Sequence, residues 1–246
     1  MSVTAGCKDL PTGTDSFQLE ADGQLWTAVV APSDLPTAAS WLAYGKDPTA
    51  APEVAALESE AARARIEGDS QRAQELLAEA AARAVRSMTS DPGPRPFLSA
   101  VAALEEWDRT VRSEVDLQRA PELAFAVELV ARERESARDA YLRGDARTAA
   151  LLLTRAADRV REWSPQGVAL RVLDRAVASL GERGKDGPHA ERIEHLVRSA
   201  REELMHGTPL RAVQAAVYAL QLADGQGMPE PAIPAEARAP CGEYSC

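Results

Sequence analysis

Few residues in this 246-residue chain have the type and spacing to do chemistry. His195, Glu202 and His206 are separated by seven and four residues, so on a helix they share one face. Glu202 and His206 can both reach one ion. His195 stands roughly 10 Å further along the helix axis, outside the same ligand shell. Glu203-Leu204-Met205-His206 is a Glu-x-x-His fragment, but a two-metal carboxylate site needs a second such pair and further carboxylates, and no second pair is found. His189 lies just ahead of the same helix. The reading is a solvated polar face, with no metal ligand, no cofactor and no catalytic residue assigned. A metal-dependent enzyme built on Glu202 and His206 is the lesser alternative.

The cysteines are Cys7, Cys241 and Cys246, all outside the helical body. The four residues between Cys241 and Cys246 include a glycine and permit a small disulfide ring. A disulfide would point to an oxidising compartment. Two thiols alone are an incomplete zinc site, and a redox-active pair usually takes the tighter C-x-x-C at a helix start. No serine or cysteine sits in a nucleophile motif. The glycine-rich run Gly181–Gly187 lacks the preceding strand of a phosphate-binding loop.

These residues ride on a chain built for helices. The apolar fraction is 45% with only 4% aromatics, so alanine and leucine carry the core, a composition that favours closely packed helices over sheets. Lys and Arg total 28 against 38 Asp and Glu, a net charge of −10. No basic stripe is present, which argues against a nucleic-acid partner. No stretch approaches the ~20 apolar residues of a membrane span.

Residues 1–32 read as a tether with a short β-hairpin, Phe17–Leu19 and Leu25–Val30 around the turn pair Asp22-Gly23. Such a hairpin must lie against the helices to be stable, with Trp26 as its anchor. Residues 33–224 read as a helical domain and 225–246 as a Pro/Gly-rich tail. Helices are expected over Leu35–Tyr44, from Pro52 to Glu67, onward to Met88, over Phe97–Leu117, from Pro121 to Gly144, to Trp163, to Leu180, over Pro188–His206, and to Ala223. The four tryptophans read as core or interface anchors.

A turn recurs three times. Gly68-Asp69, Gly144-Asp145 and Gly207-Thr208 each join a helix stop to a capping residue. Five residues after each glycine stand Ala73, Ala149 and Ala212. Nine after stand Leu77, Leu153 and Ala216, and twelve after stand Ala80, Ala156 and Ala219. Seven before stand Ala61, Ala137 and Ala200. This pattern resembles the hairpin of tetratricopeptide repeats over about twenty residues of each copy. Its glycines are 76 and 63 residues apart, not near the ~34 of that family, and Ala64, Ala140 and Glu203 replace an aromatic. The expected fold is therefore all-α: three repeated three-helix units, Leu35–Met88, Phe97–Trp163 and Gln166–Ala223, in a short solenoid or irregular bundle. Six hairpins, some eroded, are the alternative.

Val3-Thr4-Ala5-Gly6-Cys7 resembles the end of a bacterial lipoprotein signal, with Thr4 in place of the usual leucine and no basic or apolar run ahead of it in this chain. That resemblance implies lipidation of Cys7 and an extracytoplasmic, membrane-anchored place in the bacterial envelope. The alternative is a free cysteine in a terminal tail. The expected function is a non-catalytic scaffold that holds a protein partner, with the membrane reached through Cys7. A cytoplasmic adaptor of the same fold is the second reading.

Overall fold

The computed structural model describes residues 16–21, 24–45, 48–89, 91–183 and 189–223. Among them are two strands, β1 (Ser16–Ala21) and β2 (Gln24–Val29), and nine α-helices. The helices are α1 (Ala38–Tyr44), α2 (Ala51–Glu67), α3 (Ser70–Ser87), α4 (Pro94–Glu114), α5 (Pro121–Leu142), α6 (Ala146–Glu162), α7 (Pro165–Arg183), α8 (Ala190–Met205) and α9 (Pro209–Ala223). They make three successive units, α1–α3, α4–α6 and α7–α9.

Capping chemistry sets most boundaries. Thr37 and Ser40 form a reciprocal capping box, Ser40 N–H to Thr37 Oγ1 at 3.2 Å and Thr37 N–H to Ser40 Oγ at 3.0 Å, so α1 starts at Ala38. A 3-10 turn, Pro48–Ala50, leads into α2. α4 starts at Pro94, three residues before the expected Phe97, because Gly93 at φ 89° turns the chain into a helix whose first residue lacks an N–H. It ends at Glu114, not Leu117. α7 runs through Gly181 to Arg183, past the expected stop at Leu180.

The three repeated turns share one geometry. Gly68, Gly144 and Gly207 have φ of 94°, 81° and 73°. After each, the next residue donates back to the carbonyl four positions before the glycine. These bonds are Asp69 to Ala64, Asp145 to Ala140 and Thr208 to Glu203, each at 2.9 Å, the closing bond of a Schellman motif. Asp69 and Asp145 then cap the following helices, accepting from the N–H of Arg72 at 2.9 Å and of Thr148 at 3.0 Å. Thr208 departs from the expected cap. Its hydroxyl points back to Glu203, where the carbonyl oxygen is 2.9 Å away and the carboxylate is also within reach. α9 instead opens on Pro209, which has no N–H to satisfy.

The repeated small residues form the helix contacts. Of the twelve positions around the turns, Ala61, Ala73, Ala80, Ala137, Ala149, Leu153, Ala156, Ala200, Ala212, Ala216 and Ala219 are buried, and only Leu77 is half-buried. Side chains this small let α2 lie close on α3, α5 on α6, and α8 on α9.

The units close on one another. α1 and α3 touch α6, α6 touches α7, and α2 touches α8. The first and third units therefore meet, which makes the molecule an irregular bundle. In a solenoid only neighbouring repeats would touch. The hairpin pairs antiparallel with Leu19 opposite Trp26. Strand alternation sends Trp26 and Ala28 into the core of α7–α9 and Val29 into the core shared by the first two units. The backbone N–H of Val29 donates to the carbonyl of Trp163 at 2.8 Å. Thus β2 wedges between the two cores, with Trp26 as the expected anchor. The turn pair Asp22-Gly23 lies outside the described residues.

Candidate functional site

The repeat makes three positions equivalent, and they meet different fates. Two residues before each turn glycine stand Ile66, Leu142 and Met205. Ile66 is 8% exposed and belongs to the core of the third unit. It is the apolar part of the contact between α2 and α8 that closes the bundle. Leu142 is 83% exposed and Met205 61%. The tip of the second unit carries more apolar surface. Phe97 and Tyr141 stack there with ring centroids 4.1 Å apart, and the next residue along each helix, Leu98 and Leu142, is exposed.

A cavity of about 280 Å³ lies where the three units meet, lined by Glu58 and Arg65 of α2, Leu77 of α3, Asp158 and Arg161 of α6, and Leu170 of α7. Three of its charged groups, Glu58, Asp158 and Arg161, are engaged in holding the fold. Glu58 Oε1 accepts from the N–H of Ala38 at 2.7 Å, in the first turn of α1. Arg161 donates to Asp158 at 2.7 Å and to the carbonyls of Leu35 and Pro36 at 2.9 and 2.8 Å. It thereby ties the end of α6 to the segment entering α1. Burial raises the Asp158 carboxyl above its ordinary range, with Arg161 pulling it the other way.

His195, Glu202 and His206 are all exposed on α8 or its end, and among the described residues no three metal-capable side chains gather. Among those residues no helix is long and apolar enough to cross a membrane. Trp26, Trp41, Trp107 and Trp163 are all buried. Cys7, Cys241 and Cys246, with the lipidation and disulfide expected of them, lie outside the described residues.

Two structural features escaped the sequence reading. Gly167 sits where α7 turns away from α6, and a Cβ there would lie 2.4 Å from the carbonyl oxygens of Arg161 and Glu162. The Ser-Pro-x-Gly spacing was the available signal. The divergence of Ile66, Leu142 and Met205 had one too, since all three share an offset from a turn glycine. Only the pairing of α2 with α8 tells which of them is covered. Comparison with protein-family models, with curated proteins and with solved structures gives no match for this chain.

Proposed function

We propose that this protein is a non-catalytic scaffold that holds a protein partner on the tip of its second unit. A lipid on Cys7 tethers it to the bacterial envelope, on the extracytoplasmic side. One observation carries the interaction reading. The apolar residue before the turn is covered by another unit at Ile66 and stands 83% exposed at Leu142. The chain itself uses this position to join helical units, and the exposed Leu98 and Leu142, each next to one ring of the Phe97–Tyr141 stack, offer an apolar interaction surface of the same kind. The tether rests on Ala5-Gly6-Cys7 and on the spacing of Cys241 and Cys246.

Photo-crosslinking in the source bacterium tests the interaction. A crosslinker at position 142 or 98 should yield one defined protein adduct that is absent when the crosslinker replaces the exposed Arg155. Equal labelling at all three positions, or none, overturns the reading. Mass spectrometry of the native protein tests the tether and should find an acylated Cys7 at the mature N-terminus. An unmodified Cys7 in a chain that retains Met1 would leave the cytoplasmic adaptor.

A further inference from the structure

The repeat puts α2, α5 and α8 in equivalent places as the middle helices of their units, and two of them pair. α2 meets α8 where the first unit closes on the third. α5 packs on α4 and α6, and its outer face stays open. Phe125, Glu128, Arg132, Glu135, Asp139 and Leu142 recur at intervals of three and four residues, the spacing of one helix stripe, and all six are exposed. Phe125 is 65% exposed and Leu142 83%. Two large apolar side chains thus stand toward opposite ends of a 22-residue helix, with charged groups between them.

α4 extends the same face. Leu98, Glu105 and Arg112 follow one another at seven residues, so they form a stripe of their own. Glu105 pairs with Arg138 of α5, and Arg112 with Glu128 at 3.2 Å. These pairs turn the stripe toward the outer edge of α5 and set the exposed Leu98 toward the Leu142 end.

The open face is complementary to itself. A two-fold axis crossing α5 midway between Arg132 and Glu135 lays a second α5 alongside the first, antiparallel. Arg132 then faces the partner's Glu135, and the contact occurs twice. Arg134 and Arg138 already pair with acids of their own chain, whereas Arg132 has no ion pair among the described residues. Phe125 and Leu142 lie equally far from the axis, about 13 Å at 1.5 Å per residue. Each Phe125 therefore meets the partner's Leu142, at the end where the partner's Leu98 is exposed. Alternating steps of three and four keep such a stripe facing its mate at a shallow crossing of about 20°. Glu128 comes opposite the partner's Asp139, and Arg112 offsets that repulsion from beside Glu128. A parallel pairing would set Arg132 on Arg132 and Glu135 on Glu135, so the charges select the antiparallel one.

We infer that the chain forms a symmetric dimer through α5, so that the partner held on the second unit is a second copy of the same chain. The inference rests on the scaffold reading, because Leu98 and Leu142 serve both.

Sedimentation of the purified full chain tests it, under reducing conditions that keep Cys7, Cys241 and Cys246 from joining chains. The wild type should be a dimer. Arg132→Glu and Glu135→Arg should each raise its dissociation constant by about tenfold or more, because each sets like charges face to face twice. The two variants mixed should dimerise again, since the new carboxylate at 132 faces the new guanidinium at 135 and the original pair forms at the other side of the axis. A photo-crosslinker at position 142 of the purified chain should give an adduct of twice the chain mass, joined near the partner's Phe125. A monomeric wild type, a dimer indifferent to both variants, a mixture that fails to recover, or a junction far from Phe125 overturns the inference. If position 142 captures a different protein in the bacterium while the purified chain is monomeric, the scaffold reading survives and the second copy falls.

Discussion

Trp41 and Thr154 share a buried hydrogen bond that joins the first unit to the second. The indole N–H of α1 donates to the hydroxyl of α6 at 2.9 Å, and the hydroxyl in turn donates to the carbonyl of Ala150 at 2.9 Å. Thr154→Val keeps the shape and strands the indole donor. It should cost about 1–3 kcal/mol in chemical denaturation. Adding Trp41→Phe removes the stranded donor, so the double variant should lose less than the sum of the singles. Strict additivity would show that the bond does not couple the units.

The glycines separate two kinds of cost. At Gly144 (φ 81°) an added Cβ meets nothing within 4 Å, so Gly144→Ala carries only the left-handed penalty of about 1–2 kcal/mol. At Gly68 (φ 94°) the Cβ would also come within 3.1 Å of Arg201 Nη2, the flexible end of a side chain. Gly68→Ala should cost slightly more. Gly167→Ala places a methyl 2.4 Å from two backbone oxygens, which only movement of α7 against α6 can relieve. Thermal unfolding should rank Gly167→Ala as the most damaging of the three.

Asp158 gives the stability a pH dependence of definite sign. Burial raises its carboxyl in the folded protein, so the folded state holds this proton more tightly than the unfolded one. Its contribution is most favourable below the ordinary aspartate range. It declines as pH rises from there through the raised folded value. Asp158→Asn removes the titration. The stability difference, variant minus wild type, should therefore shift in favour of the variant as pH rises from 3 to 7. A difference that shifts the other way would mean that pairing with Arg161 outweighs burial.

Ile66 and Leu142 occupy one place in the repeat and should respond in opposite ways. Ile66→Ala opens the contact between α2 and α8 and should cost about 2 kcal/mol or more. Leu142→Ala lies on the surface and should stay within about 0.5 kcal/mol of wild type, while abolishing the crosslink formed at position 98. Loss of stability at Leu142 comparable to that at Ile66 would contradict its exposure.

Local signals in the sequence were enough for the repeat. Each turn glycine announces a left-handed residue, and the alanines at fixed offsets announce the buried face, because both depend on residues a few places apart. Boundaries were less legible where prolines cluster. The run from Asp91 to Pro96 reads as a break, yet Gly93 and Pro94 start α4 inside it. Gly181 reads as a stop, yet α7 passes through it. What could not be read is everything that depends on distant pairing. Trp41 and Thr154 are 113 positions apart in sequence, and each alone is an ordinary residue. Only the contact of α1 with α6 makes them partners in one buried bond.

The contact between Gly68's turn and α8 also limits how this architecture can vary. In an open array, a copy can be inserted or lost because each end presents a free face. Here the first copy contacts the third, with Ile66 seated in the core of the third. A copy added after α9 would therefore meet a third unit whose core already holds Ile66 of the first, unlike the free end of an open array.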